Sequence, residues 1–351
     1  MLLYFSILTS TTIVALYAQA IRNHTIIRRG EPKYILFLCF FVLFLFSAAR
    51  YKVGADYPNY ERIFGEIRKG YRVHTEIGFN LIVKLISQFT DNNQAAFAVF
   101  SFLTIAPIYK VIQKRSKDWG FSVFLFVGLG YYFFSFQSIR QYLAYMMAIY
   151  ALDKMIDKKY GLFILWSVIG ITFHKSCAVI LPAYLMTQLK LNRIFKIFFL
   201  TSGLLVIKYR ELLRKIIFYF YPSYEGTNFD RINVSYKNLL ICACFCAIFV
   251  LCCYNKKKGR ELIILENLCL FSMYFYLFCW WIPEISRIGF YLLIPVCILL
   301  PNVLAVFRNT RQRVLIKICI CAGSILLFYS IMSNAHNPAM KLLPYQTWIG
   351  L

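Results

Sequence analysis

Carboxylates are scarce in this sequence: 15 Asp and Glu stand against 39 Lys and Arg, and charged residues of either sign make up only 15% of 351 positions. Water-soluble domains carry about 25% charged residues, so a soluble globular fold is excluded. No two acids stand in an Asp-x-Asp arrangement, and no Cys-x-x-Cys pair is accompanied by histidines at ligand spacing. Neither a divalent-cation site nor a zinc site is therefore expected, and no cofactor is implied. Polar and apolar residues do not alternate along the apolar runs, which excludes a transmembrane barrel. No internal repeat is visible. Twelve cysteines are present, but most lie inside apolar runs, as at Cys242, Cys244, Cys246, Cys252 and Cys253, where they are packing residues.

Apolar and aromatic side chains are abundant. Hydrophobic residues make up 60% of the chain, aromatic residues 19%, and the mean hydropathy is +0.62. Runs of roughly 15 to 20 apolar residues recur, the length that crosses about 30 Å of hydrocarbon as a helix. The composition specifies an all-α polytopic membrane protein, a single transmembrane domain over residues 1–351.

The net charge of +24 does not imply nucleic acid, because most cations fall in the short links between apolar runs, as the positive-inside rule requires. Lys33, Lys114, Arg115, Lys154, Lys158, Arg193, Lys256, Lys257, Arg308 and Arg313 mark inner links. Ala18-Gln19-Ala20 resembles a cleavage site, but no basic segment precedes the run before it, so that run is expected to be the first membrane helix. The parity gives about 12 transmembrane helices. One of them is expected to run from Trp119 to Phe136, the next from Ile139, and another from Tyr160 to Phe173. Two long outer loops are expected, 50–75 and 208–237. The first is followed by a short, partly polar interfacial or re-entrant helix over 76–89.

Under that parity Arg50, Asp56, Glu76, Arg140, His174, Glu284 and Arg287 all fall at the outer face. Arg140 and Arg287 stand beside polar turns, and a planar fork of donors suits a phosphate or diphosphate; snorkelling to head groups is the alternative. His174, at a helix turn beside Lys175 and Ser176, could bind phosphate or move a proton, or simply cap the helix. The segment Arg50 to Tyr60 combines charge, Gly54 and three tyrosines. That composition suits a carbohydrate, with Tyr57, Tyr60 and Gln137 as sugar contacts and Arg50 as a further cation. An aromatic belt with an Arg50–Asp56 ion pair is the plainer reading. Asp56 is the first candidate for a base that accepts a hydroxyl proton, and Glu76 the second.

Several short motifs occur in order: Gly54-x-Asp56-Tyr57 with Tyr60, Glu76-x-Gly78-Phe79, Ser138-Ile139-Arg140-Gln141 with Leu143-Ala144, Phe173-His174-Lys175-Ser176, and Pro344-Tyr345. Together they resemble the EpsG family, grouped with the Wzy-type polysaccharide polymerases. The resemblance implies a GT-C-like membrane glycosyltransferase, multi-pass in the bacterial cytoplasmic (inner) membrane. It would build O-antigen, capsule or exopolysaccharide from repeat units on undecaprenyl diphosphate, alongside chain-length regulator and flippase proteins and membrane lipids. The matched motifs carry Arg140 and His174 into such a site. A flippase of lipid-linked oligosaccharide, a membrane acyltransferase and a polysaccharide ligase are the competing activities.

Overall fold

The computed structural model describes residues 1–23, 31–220, 222, 225–227, 230, 234–253, 258–282, 285–307 and 309–349. The inner markers Lys256, Lys257 and Arg308, and the outer Glu284, lie outside the described residues. Among the described residues the chain is all-helical, and its one β-bridge joins Arg50 to Thr347. Among the described residues, seven helices are long and apolar enough to cross a membrane: α1 (Leu2–Asn23), α2 (Glu31–Ala49), α5 (Asn93–Arg115), α13 (Tyr236–Cys253), α14 (Arg260–Phe278), α15 (Ile285–Leu304) and α16 (Thr310–Ser333). The protein is a multi-pass membrane protein.

Between α2 and α5 lie α3 (Tyr57–Arg68) and α4 (Ile77–Ser87). After α5 come α6 (Trp119–Gly128), the four-residue α7 (Tyr131–Phe134), α8 (Ile139–Ile156) and α9 (Tyr160–Phe173). A 3-10 turn, Lys175–Val179, leads to α10 (Ile180–Met186), α11 (Arg193–Lys208) and α12 (Arg210–Phe220). Asx side chains start several helices: Asn92, Asp118, Asn192 and Asn309 each accept a backbone N–H of the first turn.

Three expectations need correction. The outer loop 50–75 contains a helix, α3, because Tyr57, Tyr60, Ile63, Phe64 and Ile67 recur at helical spacing and are all buried. Loop 208–237 likewise contains α12. The helix expected from Trp119 to Phe136 ends near Gly128, because Gly130 takes φ +83°, which a residue with a Cβ rarely adopts.

The chain divides into two compact units, residues 1–178 with 297–351, and residues 179–296. In the second, α13 packs on α14, and Gly203 of α11 lies against the Phe278 ring of α14. Asn267 donates to the carbonyls of Thr187 and Leu189, each at 2.8 Å. Glu266 is clamped by Lys196 at 2.7 Å and Lys258 at 2.8 Å.

In the first unit, α1 packs on α2 and α6, α2 on α5, α5 on α8, and α8 on α9. One end of this bundle is closed by residues 341–348. Lys341 O accepts from Gly54 N, Gln346 O accepts from Tyr51 N, and Trp348 N donates to Ala49 O. Tyr4, at the start of α1, donates to Leu342 O. The start of α1, the end of α2 and the tail thus share one end, as the alternating parity requires.

The opposite end is tied by ion pairs. Asp153 of α8, its side chain 1% exposed, meets Arg115 at 2.6 Å, Lys114 at 2.8 Å and Lys154 at 3.1 Å. Asp157 meets the same Lys114 and Arg115. Asp153→Asn would leave Lys114 and Arg115 with Asp157 alone and take the carboxylate from Lys154, and the expected cost is about 1–3 kcal/mol, read as a lowered Tm of the detergent-solubilised protein. Desolvation alone would raise the Asp157 carboxyl, but bonds from Lys114 and Arg115 outweigh it and hold it below the ordinary range. A depressed folded-state pKa means that its stabilisation is complete above the unfolded value, about 3.9. It is lost as pH falls below that value, so Tm should be flat from neutral to mildly acidic pH and drop beneath it.

Candidate functional site

Arg140 enters the structure at the second position of α8. The preceding turn is folded by Phe136 N donating to Phe133 O and Gln137 N to Phe134 O, both at 3.1 Å, so α8 restarts immediately after the Gly130 break. Its guanidinium is ion-paired through Nη1 to Glu76. The backbone N–H of Arg140 points at the Tyr60 hydroxyl, 3.4 Å away, and the guanidinium lies 5.8 Å from the centre of the Phe79 ring. The Arg140 Nε is buried and has no hydrogen-bond partner. The pair is only partly enclosed, with side chains 26% and 13% exposed.

Each residue of the Glu76-x-Gly78-Phe79 motif has a physical task. Glu76 precedes α4 in extended conformation, and its carboxylate does not cap the helix but reaches Arg140. Gly78 abuts α9: a Cβ there would lie 2.9 Å from the Thr172 carbonyl oxygen and closer still to the Thr172 hydroxyl. Phe79 is fully buried, stacked on Phe100 at 4.8 Å and Phe64 at 5.9 Å. The motif therefore ties α4 to α8 by charge and to α9 by contact, two residues before His174.

His174 closes α9 as its C-cap, its N–H donating to Gly170 O at 3.0 Å. Its Nδ1 lies 2.7 Å from the Ser176 hydroxyl and 3.4 Å from the Ser176 N–H. With Nδ1 accepting from Ser176, the neutral ring carries its proton on Nε2.

The Arg50 to Tyr60 segment behaves differently from expectation. Arg50 is 2% exposed. Its Nη1 donates to Ser47 O at 2.8 Å, to the Ser47 hydroxyl at 2.7 Å and toward the Ser101 hydroxyl at 3.3 Å. Phe136 and Phe97 offer their rings at 4.5 and 5.5 Å. Among the described residues it makes no ion pair, so the Arg50–Asp56 pair of the plainer reading is absent. Burial lowers its pKa to about 10, still cationic at neutral pH. Enclosed in this way, Arg50 acts as an internal strut between the end of α2 and α5.

Tyr57, 1% exposed, is likewise a core residue: its ring stacks on Phe97 at 4.1 Å and its hydroxyl donates to Gln94 Oε1 at 3.0 Å. Gln94 in turn donates to the carbonyls of Ala48 and Arg50. Gly54, at φ +105°, presses against the Phe136 carbonyl, where any Cβ would collide.

Tyr60 is buried beneath Arg140, and burial raises its hydroxyl above the ordinary value despite the cation, so it stays protonated. Asp56 is half-buried at the start of α3, does not cap it, and lies close enough to raise the Tyr60 hydroxyl further. Gln137 is half-buried with its Nε2 enclosed and unpartnered. Arg287 stands in the first turn of α15, in the second unit, half-buried.

The structure thus joins Arg140, Glu76 and Tyr60. Sequence reasoning named all three but did not pair them; it quoted Phe79 within its motif without giving it a role, and it gave Gln94 none.

The model of the EpsG family matches residues 33–347. The chain belongs to the EpsG family. That span includes every residue of the site, from Arg50 to Tyr345, and the EpsG family is associated with polysaccharide polymerase-like membrane proteins. No curated protein and no solved structure is detectably similar to the chain.

If Gly78 sets the approach of α4 to α9, Gly78→Leu must push the two apart. We expect a loss of about 1–3 kcal/mol, as for overpacked cores, seen as a lowered Tm. Gly161→Leu, at a position where a Cβ meets open space, should leave Tm nearly unchanged.

Proposed function

We propose that this EpsG-family chain is a polysaccharide polymerase. It joins oligosaccharide repeat units carried on undecaprenyl diphosphate at the outer face of the bacterial cytoplasmic membrane. The observation that carries the reading is the partly exposed Arg140–Glu76 pair, held over Tyr60 and Phe79 by three family motifs. In this reading α6, α8, α9, α10 and α11 cross the membrane together with the seven long helices, giving a GT-C-like bundle of about 12 crossings.

The chemistry follows from displacement. A diphosphate carries more charge than a carboxylate and can take both the Nη1 donor now on Glu76 and the unpartnered Nε. Glu76, released beside the site, becomes a base. The acceptor hydroxyl attacks the anomeric carbon and gives its proton to Glu76, or to Asp56 close by. The bond from that carbon to the diphosphate oxygen breaks, and undecaprenyl diphosphate leaves with the electron pair. Arg140 neutralises the leaving charge, and the Nε2–H of His174 donates a hydrogen bond to it. Gln137 offers its unpartnered amide to a sugar hydroxyl. Arg50, Tyr57 and Arg287 have no role in this scheme.

The test uses a host lacking the gene, complemented with variants matched for protein in the membrane. Arg140→Ala is expected to lower polymerisation roughly 100- to 1,000-fold, so the surface polysaccharide collapses from a ladder to single repeat units. Glu76→Gln should shorten the ladder while still binding the lipid-linked unit, because it frees the arginine and removes one of the two bases, and Glu76→Gln with Asp56→Asn should abolish it. Repeat units accumulating on the inner leaflet would assign a flippase instead, and an unchanged ladder in Arg140→Ala would refute the site.

A further inference from the structure

The end of the first unit opposite Arg140 contains a cavity of about 350 Å³, walled by α1, the link before α6, the last turn of α15 and the first two turns of α16. Its polar lining is Gln19, Asn23, Lys117, Asp118, Arg313 and Lys317, three cations against one carboxylate. That carboxylate is already engaged. Asp118 caps α6 by accepting from Phe121 N at 3.0 Å and meets Lys317 at 2.5 Å.

Lys117 and Arg313 make no ion pair among the described residues. The backbone of Lys117 is nevertheless fixed, since its N–H donates to Asn302 Oδ1 at 2.9 Å while Asn302 Nδ2 holds the Arg115 carbonyl at 2.8 Å. Lys117 stands exposed on the link before α6, and Arg313 and Lys317 are half-buried on α16, so the three cations ring the mouth of the cavity. Next to it, Val314, Leu315 and Ile318 of α16 are exposed, an apolar surface leading away from the charged mouth.

We propose that this cavity is a phosphate-binding site at the inner membrane face, in which Lys117 and Arg313 hold the phosphoryl group of an anionic phospholipid or of a soluble phosphoester. The volume accommodates a small head group, and unpaired cations between membrane helices at this level attract such groups. The exposed aliphatic row on α16 gives acyl chains a surface to lie on, which favours the lipid. The site is independent of the chemistry proposed at the other end.

The experiment titrates the full-length protein, in uncharged detergent, with phosphatidylglycerol, phosphatidylcholine and inorganic phosphate, reading Tm and bound lipid by native mass spectrometry. Phosphatidylglycerol should bind and raise Tm, and phosphatidylcholine should not. Lys117→Ala/Arg313→Ala should weaken that binding roughly 10- to 30-fold, while Arg62→Ala, exposed on α3, leaves it unchanged. Inorganic phosphate reproducing the whole effect would identify the soluble source. The proposal is overturned if neither phosphate compound binds, or if the double variant binds like wild type. Should the double variant fail to give a monodisperse peak, the wild-type titration decides alone: phosphatidylcholine matching phosphatidylglycerol, or no binding, overturns the site.

Discussion

A charge withdrawn from water needs a counter-charge or a set of dipoles within contact distance, and this chain has 15 carboxylates to serve 39 cations. Where an acid is placed is therefore informative. Asp153 and Asp157 bind α5 to α8 at one end of the first unit, and Glu266 holds two lysines in the second. Glu76 is the acid given to Arg140, on the end that the family motifs share. Arg50 receives none: two serine hydroxyls and a carbonyl meet its Nη1 and two aromatic rings its plane, while its Nε, like that of Arg140, is buried without a partner.

The contrast between those two arginines organises the outer end. Hydroxyls and ring faces around Arg50 cannot be exchanged for a substrate without unpacking α2 from α5, so that cation is permanent structure. Arg140 is held by one carboxylate on a short helix that touches α9 through a glycine. In the proposed reaction that partner is exchanged for the diphosphate, and a site that must accept a multiply charged anion and then let it go is better served by the second arrangement.

Much of this was legible in the sequence. The bounds of α9 follow from its uninterrupted apolar run, and the seven long helices from length and hydropathy. The period of α3 was also present, but Asp56, Glu61, Arg62, Glu66 and Arg68 lie on the same stretch and give it the composition of a loop. Gly130 gave no local warning, because glycine within an apolar run is ordinary in membrane helices. The different roles of Arg50 and Arg140 could not be read, since each follows a helix end or turn rich in aromatics. What separates them is Ser101 and Phe97 on one side and Glu76 on the other, all brought in from distant segments.

The segment after α16 has a consequence for how strain travels in the molecule. Tyr345 stacks on Phe46 at 4.2 Å and donates to its carbonyl, a contact between residues 299 positions apart. Thr347 bridges Arg50 itself. The strut around Arg50 is therefore completed from a distant part of the sequence, and the segment that follows α16 is tied through it to the end of α2. A change that displaces α16 is transmitted along that segment to a cation buried against α2 and α5.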